Sequence, residues 1–390
     1  MSSLPERDLP GEEDFPEIPR PGALWPMFTV ALVLGMVGLY LMLPYRGPLP
    51  AALPAPPRPS TLPQASGTGE AGAIRLAFVD SAESTFGQTA MAFARRVETL
   101  SQGALHVQLA SGGEVDGKKD GELDLLRSVQ KGELSMAFIS AAPLSNLDPR
   151  MAVLDLPFLF DSYDHADRVL DGPIGRELLE SLRPEGLEGL AYLETGFRIL
   201  SSALPLRDLA SLKGRRIRVM ESATCLNLFR ALGADPVPSG VDRIYDMGRQ
   251  GFIDGADRSY PTYWDFKLYE VHRYLTETRH AYSVKALVAN LAWWDRLTPE
   301  GRKAFQQAAL EAEREHRERQ RRDEARVRSL AMKERIEIFP LSAEERARFR
   351  ERVQPLYEEF IRAQGSDLVD RIRREATVLP TPAYGSGQYY

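Results

Sequence analysis

Arginine is the side chain here best suited to do chemistry, and its most informative setting is Lys213-Gly214-Arg215-Arg216-Ile217-Arg218-Val219. The stretch reads as a turn leading into a strand, and strand alternation sends Arg218 to the face opposite Ile217 and Val219. A guanidinium offers a planar fork of donors that grips a carboxylate through two parallel, charge-assisted hydrogen bonds. A carboxylate taken into a cleft needs such a partner, because a lone buried charge is very costly. The competing reading is a solvated basic patch in which Arg218 stands with Arg215 and Arg216. Charge alone does not separate the three.

Other chemistries find little support. Cys225 sits in the apolar run Ala223-Thr224-Cys225-Leu226 and reads as a buried, inert thiol. His106, His165, His272, His280 and His316 never approach metal-ligand spacing. There is no phosphate-binding loop, dinucleotide fingerprint or nucleophile elbow, so no metal, cofactor or enzyme activity is expected. With 49 basic against 55 acidic side chains the net charge is −6, which advertises no nucleic acid. Between Arg302 and Arg352 the two signs interleave, as on a solvated helix surface.

The elements that must position Arg218 read as α/β. Ile74–Val79 alternates like a strand, Gly87–Leu100 has helical period, and Leu105–Leu109 is a second strand. A helix from Gly121 to Lys131 and a strand at Met136–Ser140 follow. This alternation implies a parallel sheet with right-handed crossovers, in which ligands sit at the carboxyl ends of strands. That rule points at Asp80–Phe86 and Ser140–Leu144. Further on, Leu226–Leu232 reads as a helix, Gly251–Gly255 as turn, short strand and turn, and Trp293-Trp294 as packing residues. Thr298-Pro299-Glu300 starts a helix that runs past Lys333, and Ser342-Ala343-Glu344-Glu345 is a capping box.

The first seventy residues read as an address. After a short tail, 1–22, residues 23–45 form an uncharged apolar stretch bracketed by Arg20 and Arg46, long enough for a transmembrane anchor. A cleaved signal peptide is the rival reading, and it lacks a positive leading region. Residues 46–72 are a Pro/Ala-rich linker, and 379–390 a loose tail.

Four stretches, in order, resemble the substrate-binding proteins of tripartite ATP-independent periplasmic (TRAP) transporters. They are Asp155–Phe160 with Asp164-His165-Ala166 and Val169–Gly172, then Asp208–Val219, then Ala231–Pro238 leading to Gln250–Gly255, and last Lys267–Val271 with the long helix. The resemblance implies a two-lobed periplasmic-binding-protein-like fold with a hinge, a ligand cleft and a long helix along both lobes, here preceded by one transmembrane helix. It places lobe I at 73–195 plus 284–323 and lobe II at 196–283 plus 324–378.

The resemblance also supplies site expectations. Arg218 aligns with the arginine that clamps the ligand carboxylate, and Arg198, in Gly196-Phe197-Arg198, resembles the second cleft arginine or else a hinge salt bridge. Glu122 lies where related receptors place an acidic side chain. A glutamine-glutamate-asparagine-proline run is common after the Asp-Gly pair, but here Ala256-Asp257-Arg258-Ser259 stands there. Arg258 then either meets a second anionic group or pairs with Asp257 or Asp254. Tyr260, Tyr263 and Trp264 either cover the ligand or pack in the core. The implied function is a solute receptor on the periplasmic side of the inner membrane that delivers a small organic acid to a TRAP permease. The alternative is a tethered ligand sensor with a signalling partner.

Overall fold

In the computed structural model the described residues are 73–376; the expected anchor, linker and tail lie outside them. Among the described residues no helix is long and apolar enough to cross a membrane. The first sheet takes β1 (Ile74–Ala77), β2 (Val107–Ala110), β5 (Met136–Ser140), β6 (Leu187–Phe197) and β12 (Tyr282–Asn290), in the order β2-β1-β5-β12-β6. A small hairpin, β3 (Glu114–Val115) with β4 (Lys118–Lys119), precedes the helix Glu122–Lys131. The second sheet takes β7 (Ile199–Ser202), β8 (Arg216–Val219), β9 (Asp235–Pro238), β10 (Gly255–Arg258), β11 (Tyr274–Glu277) and β13 (Glu337–Pro340), in the order β13-β11-β7-β10-β8-β9. Each sheet is the centre of one lobe.

The parallel start expected from the sequence is present: β1 pairs in parallel with both β2 and β5. Every residue of β5 is buried, because helices cover both faces of that sheet. Phe78, Phe93 and Phe305 pack on one face, and Leu125, Ile139 and Val169 on the other. In the second lobe Ile217 and Val219 pack with Leu228 and Phe229, while Ile199 and Leu275 pack with Tyr263 and Val327.

Among the described residues the chain passes between the lobes four times, the last of them on the way to the C-terminal helix Asp367–Ala376. Arg198 alone separates β6 from β7, and its backbone N–H donates to the Ala281 carbonyl at 2.8 Å. Residues 278–281 return the chain from β11 to β12. The helix Pro299–Lys333, capped by the Thr298 hydroxyl, packs on β6 and then on the helix Tyr260–Asp265 and β13. Just before Arg198, Gly196 has φ +95°, a left-handed conformation that a side chain would strain, and an added Cβ would lie 3.2 Å from Glu324.

Three expectations need correcting. The strand expected within Gly251–Gly255 begins only at Gly255, so Asp257 and Arg258 belong to it; the Asp254 carboxylate instead ties down Arg216. The change of sheet falls at Arg198 rather than at Gly196, because β12 still pairs with β6 at Phe197. Assigning 324–378 wholly to lobe II also fails, since Leu368, Val369 and Ile372 of the last helix, with Tyr357 and Phe360, complete the core of lobe I. That helix is amphipathic, and its apolar face meets the helices Tyr163–Asp171 and Pro173–Glu180.

Candidate functional site

The ends of β1 and β5 face the ends of β8 and β10 across a cleft of about 590 Å3, its open mouth included. Asp80 follows β1, Glu122 opens a helix, Ser140 ends β5 and Lys285 lies on β12; these form the wall from lobe I. Arg218, Ser239, Arg258 and Thr262 belong to the opposite wall, and Arg198 and Asp257 stand at the hinge between them.

Lobe I contributes a charged triad. The Lys285 ammonium lies 2.5 Å from an Asp80 oxygen and 3.0 Å from one of Glu122, and 4.5 Å from the centre of the Phe86 ring. Burial alone would lower the lysine, but the two carboxylates outweigh it and hold it above its usual range. Glu122 also accepts the Ser140 backbone N–H at 3.0 Å. Lys285 and Ser140 together overcome its burial and hold its carboxyl low, whereas burial wins at Asp80 and raises it.

Three arginines define the rest, and their states differ. Arg198 is fully engaged: Nε donates to the Asp257 carboxylate at 2.7 Å, Nη2 to the Asp257 carbonyl at 2.9 Å, and Nη1 reaches Ser283 at 3.3 Å. Asp257 is also 3.1 Å from His280 Nε2; burial would raise its carboxyl, but Arg198 and His280 hold it far below the usual range. Arg218 donates Nε to the Ser239 carbonyl at 2.7 Å and directs Nη2 at the same oxygen. Burial, then the nearby Arg198, pull its guanidinium down to about 10.

Arg258 is the exception. It is 2% exposed, and none of its three guanidinium nitrogens has a hydrogen-bond partner in the protein. Burial and then Arg218 press it well below its normal basicity. The register pairs Ala256 with Arg218, so alternation puts Arg258, two residues on, on the same sheet face as Arg218. Two buried guanidiniums thus lie on one face of neighbouring strands, an arrangement with the donors to grip an anion.

The description "Bacterial extracellular solute-binding protein, family 7" matches residues 76–364. The chain belongs to this family. A sugar acid binding protein from Advenella mimigardefordensis, solved with galactonate, is 30% identical over 78% of this chain and 97% of that one, with a TM-score of 0.74. A TRAP periplasmic solute binding protein from Sulfurospirillum deleyianum with bound succinate is 26% identical over 77% and 98%, with a TM-score of 0.73. The C4-dicarboxylate-binding protein DctB of Bacillus subtilis is 27% identical over 285 residues, 73% of this chain and 80% of that protein. The family resemblance and the two-lobed fold expected from the sequence are thereby borne out.

Of the residues singled out in this family 7 chain, Arg218, Arg198, Arg258 and Glu122 all line the cleft. Arg258 makes neither of the two salt bridges considered for it, because Asp257 is taken by Arg198 and Asp254 by Arg216. Tyr263 and Trp264 are corrected: Tyr263 is fully buried in the core of lobe II with its hydroxyl on the His272 carbonyl at 2.7 Å, and Trp264 packs on Tyr269 at 4.6 Å. They lie on a short helix, Tyr260–Asp265, whose cleft face carries Ser259 and Thr262 instead. Asp80 was indicated only as part of a strand end, and Lys285 was missed. The signal for Lys285 was a lone lysine in the apolar run Ser283–Ala289. Behind the hinge, Asp155 is 2% exposed with both carboxylate oxygens unpartnered. Burial pushes its carboxyl up to about 7.

Proposed function

We propose that this chain is an extracytoplasmic receptor that closes on a small organic acid and hands it to a TRAP-type permease. The observation that carries this reading is the pair of buried guanidiniums, Arg218 and Arg258, on one wall of a cleft between hinged lobes. An acid bound there touches both lobes, so it favours the closed state by its differential affinity, which is the only way a ligand shifts such an equilibrium. The relatives that bind galactonate, succinate and C4-dicarboxylates support the class of ligand.

The test is a thermal-shift screen of the full chain against mono- and dicarboxylates, 2-oxo acids and sugar acids. A ligand in excess at about 100 times its Kd should stabilise the fold by about 2.7 kcal/mol. If no organic anion moves the melting curve, the receptor reading is lost. The uncharged stretch from Pro21 to Tyr45 supports a tether to the cytoplasmic membrane, which would raise the receptor's concentration at the permease. An alkaline wash of the membrane fraction should leave the protein in the pellet; release into the wash would mean that it is not anchored.

A further inference from the structure

Resting on the receptor reading above, we propose that the ligand carboxylate is held between Arg218 and Arg258, and that the cleft selects a hydroxylated monocarboxylate over the dicarboxylate of the same skeleton. The relatives divide between these two classes, so the choice has to come from this chain's own charges.

Arg198 is not available as the second half of a clamp. Its Nε and Nη2 are bonded to Asp257 and its Nη1 to Ser283, with Met220 sulfur also 3.5 Å away. Arg218 has one edge committed to the Ser239 carbonyl. Arg258 retains all of its donors, and a fully buried guanidinium without a counter-charge costs several kcal/mol unless an anion comes to it. One carboxylate between two guanidiniums on the same face of adjacent strands answers both.

The charge count then limits the rest of the ligand. The four cations Arg198, Arg218, Arg258 and Lys285 are answered by three paired carboxylates, Asp80, Glu122 and Asp257, so one ligand carboxylate would balance them. Glu221 also lines the cleft, partly buried, and makes no ion pair with any of these cations. The imbalance is moreover one-sided. After Asp257 cancels Arg198, lobe II keeps Arg218 and Arg258 without an ion-paired carboxylate, whereas lobe I offers two carboxylates against one ammonium. A second carboxylate reaching lobe I would meet Asp80 and Glu122 and be repelled. Hydroxyl groups there would donate to those carboxylates and be held, which is how buried carboxylates complete their hydrogen bonding.

The experiment is isothermal titration of the full chain with two matched pairs, galactonate against galactarate and erythronate against meso-tartrate. It is run at pH 6, below the value of about 7 at which the buried Asp155 ionises. The monoacid of at least one pair should bind at least about tenfold more tightly than its diacid, a gap of about 1.4 kcal/mol. Arg258→Asn and Arg258→Met should each weaken that monoacid by about 30-fold or more. Both variants should melt, unliganded, at or above the parent temperature, because replacing an unpaired buried charge relieves the fold. If, in every pair that binds, the diacid is as tight as its monoacid, the charge selection is overturned while the receptor reading stays intact. Variant affinity within threefold of the parent, or a clear fall in unliganded melting temperature, shows that Arg258 is a structural residue and overturns its place in the clamp. If neither pair binds while another acid from the thermal-shift screen does, a hydroxylated monocarboxylate is excluded and the proposal fails; if no acid binds at all, the receptor reading falls first.

Discussion

Arg218→Ala should all but abolish acid binding. Removing one member of a buried, hydrogen-bonded charge pair costs about 2–5 kcal/mol, or roughly 30-fold to several thousand-fold in affinity. The loss is larger than at an exposed arginine because Arg218 is only 4% exposed and water does not replace it. Its Nε and Nη2 already hold the Ser239 carbonyl, so the guanidinium is oriented before any ligand arrives and little entropy is spent in fixing it. Calorimetric titration of the variant with the best acid from the screen checks the effect. Retained affinity, with an unliganded melting temperature like the parent's, would remove Arg218 from the site.

The second large effect is expected behind the hinge, at a residue outside the cleft lining. Asp155→Asn should stabilise the protein at pH 8 by about 2–4 kcal/mol and change it little at pH 4. Burial raises the Asp155 carboxyl to about 7, whereas an unfolded aspartate ionises near the ordinary value for the side chain. Between these two values the folded state holds the proton more tightly. The contribution to stability is therefore complete below about pH 4 and is lost as pH rises through about 7. An asparagine of the same shape carries no charge to bury, so its advantage should appear only on the alkaline side. Denaturant melts of parent and variant at the two pH values decide it. Equal stability at pH 8 would mean that Asp155 finds a counter-charge when ionised, most directly from Arg198, the positive group that acts on it.

Much of this architecture was legible before the fold was known, and the failures share a cause. Arg218 could be read because alternation within Ile217-Arg218-Val219 is a local rule, and β8 obeys it, burying both apolar neighbours completely. The strand-end rule likewise led to Asp80 and Ser140. For Tyr263 and Trp264 the choice between ligand and core stayed open because the phase of a six-residue helix depends on where it starts, and its cap at Ser259 follows from a strand that ends one residue earlier. The role of Arg198 was undetermined for another reason. Its partner Asp257 is 59 residues away, and His280 comes from a third segment, so only the assembled hinge distinguishes a clamp from a strut. The last helix was assigned to the wrong lobe because its amphipathic pattern records that one face is covered, not by what.

The stranded charge at Arg258 bears on more than recognition. Any closed form that lacks an anion must keep this guanidinium dry and unanswered, with Arg218 beside it. Open lobes would let water solvate it. If Arg258 holds the ligand as proposed, the residue that favours a loaded closure also disfavours an empty one, and the bias is supplied before any permease is met. A transporter that recognised only the shut receptor would then be spared idle dockings by unloaded copies. On that proposal, fidelity would come from one side chain left without a partner, not from a tighter grip.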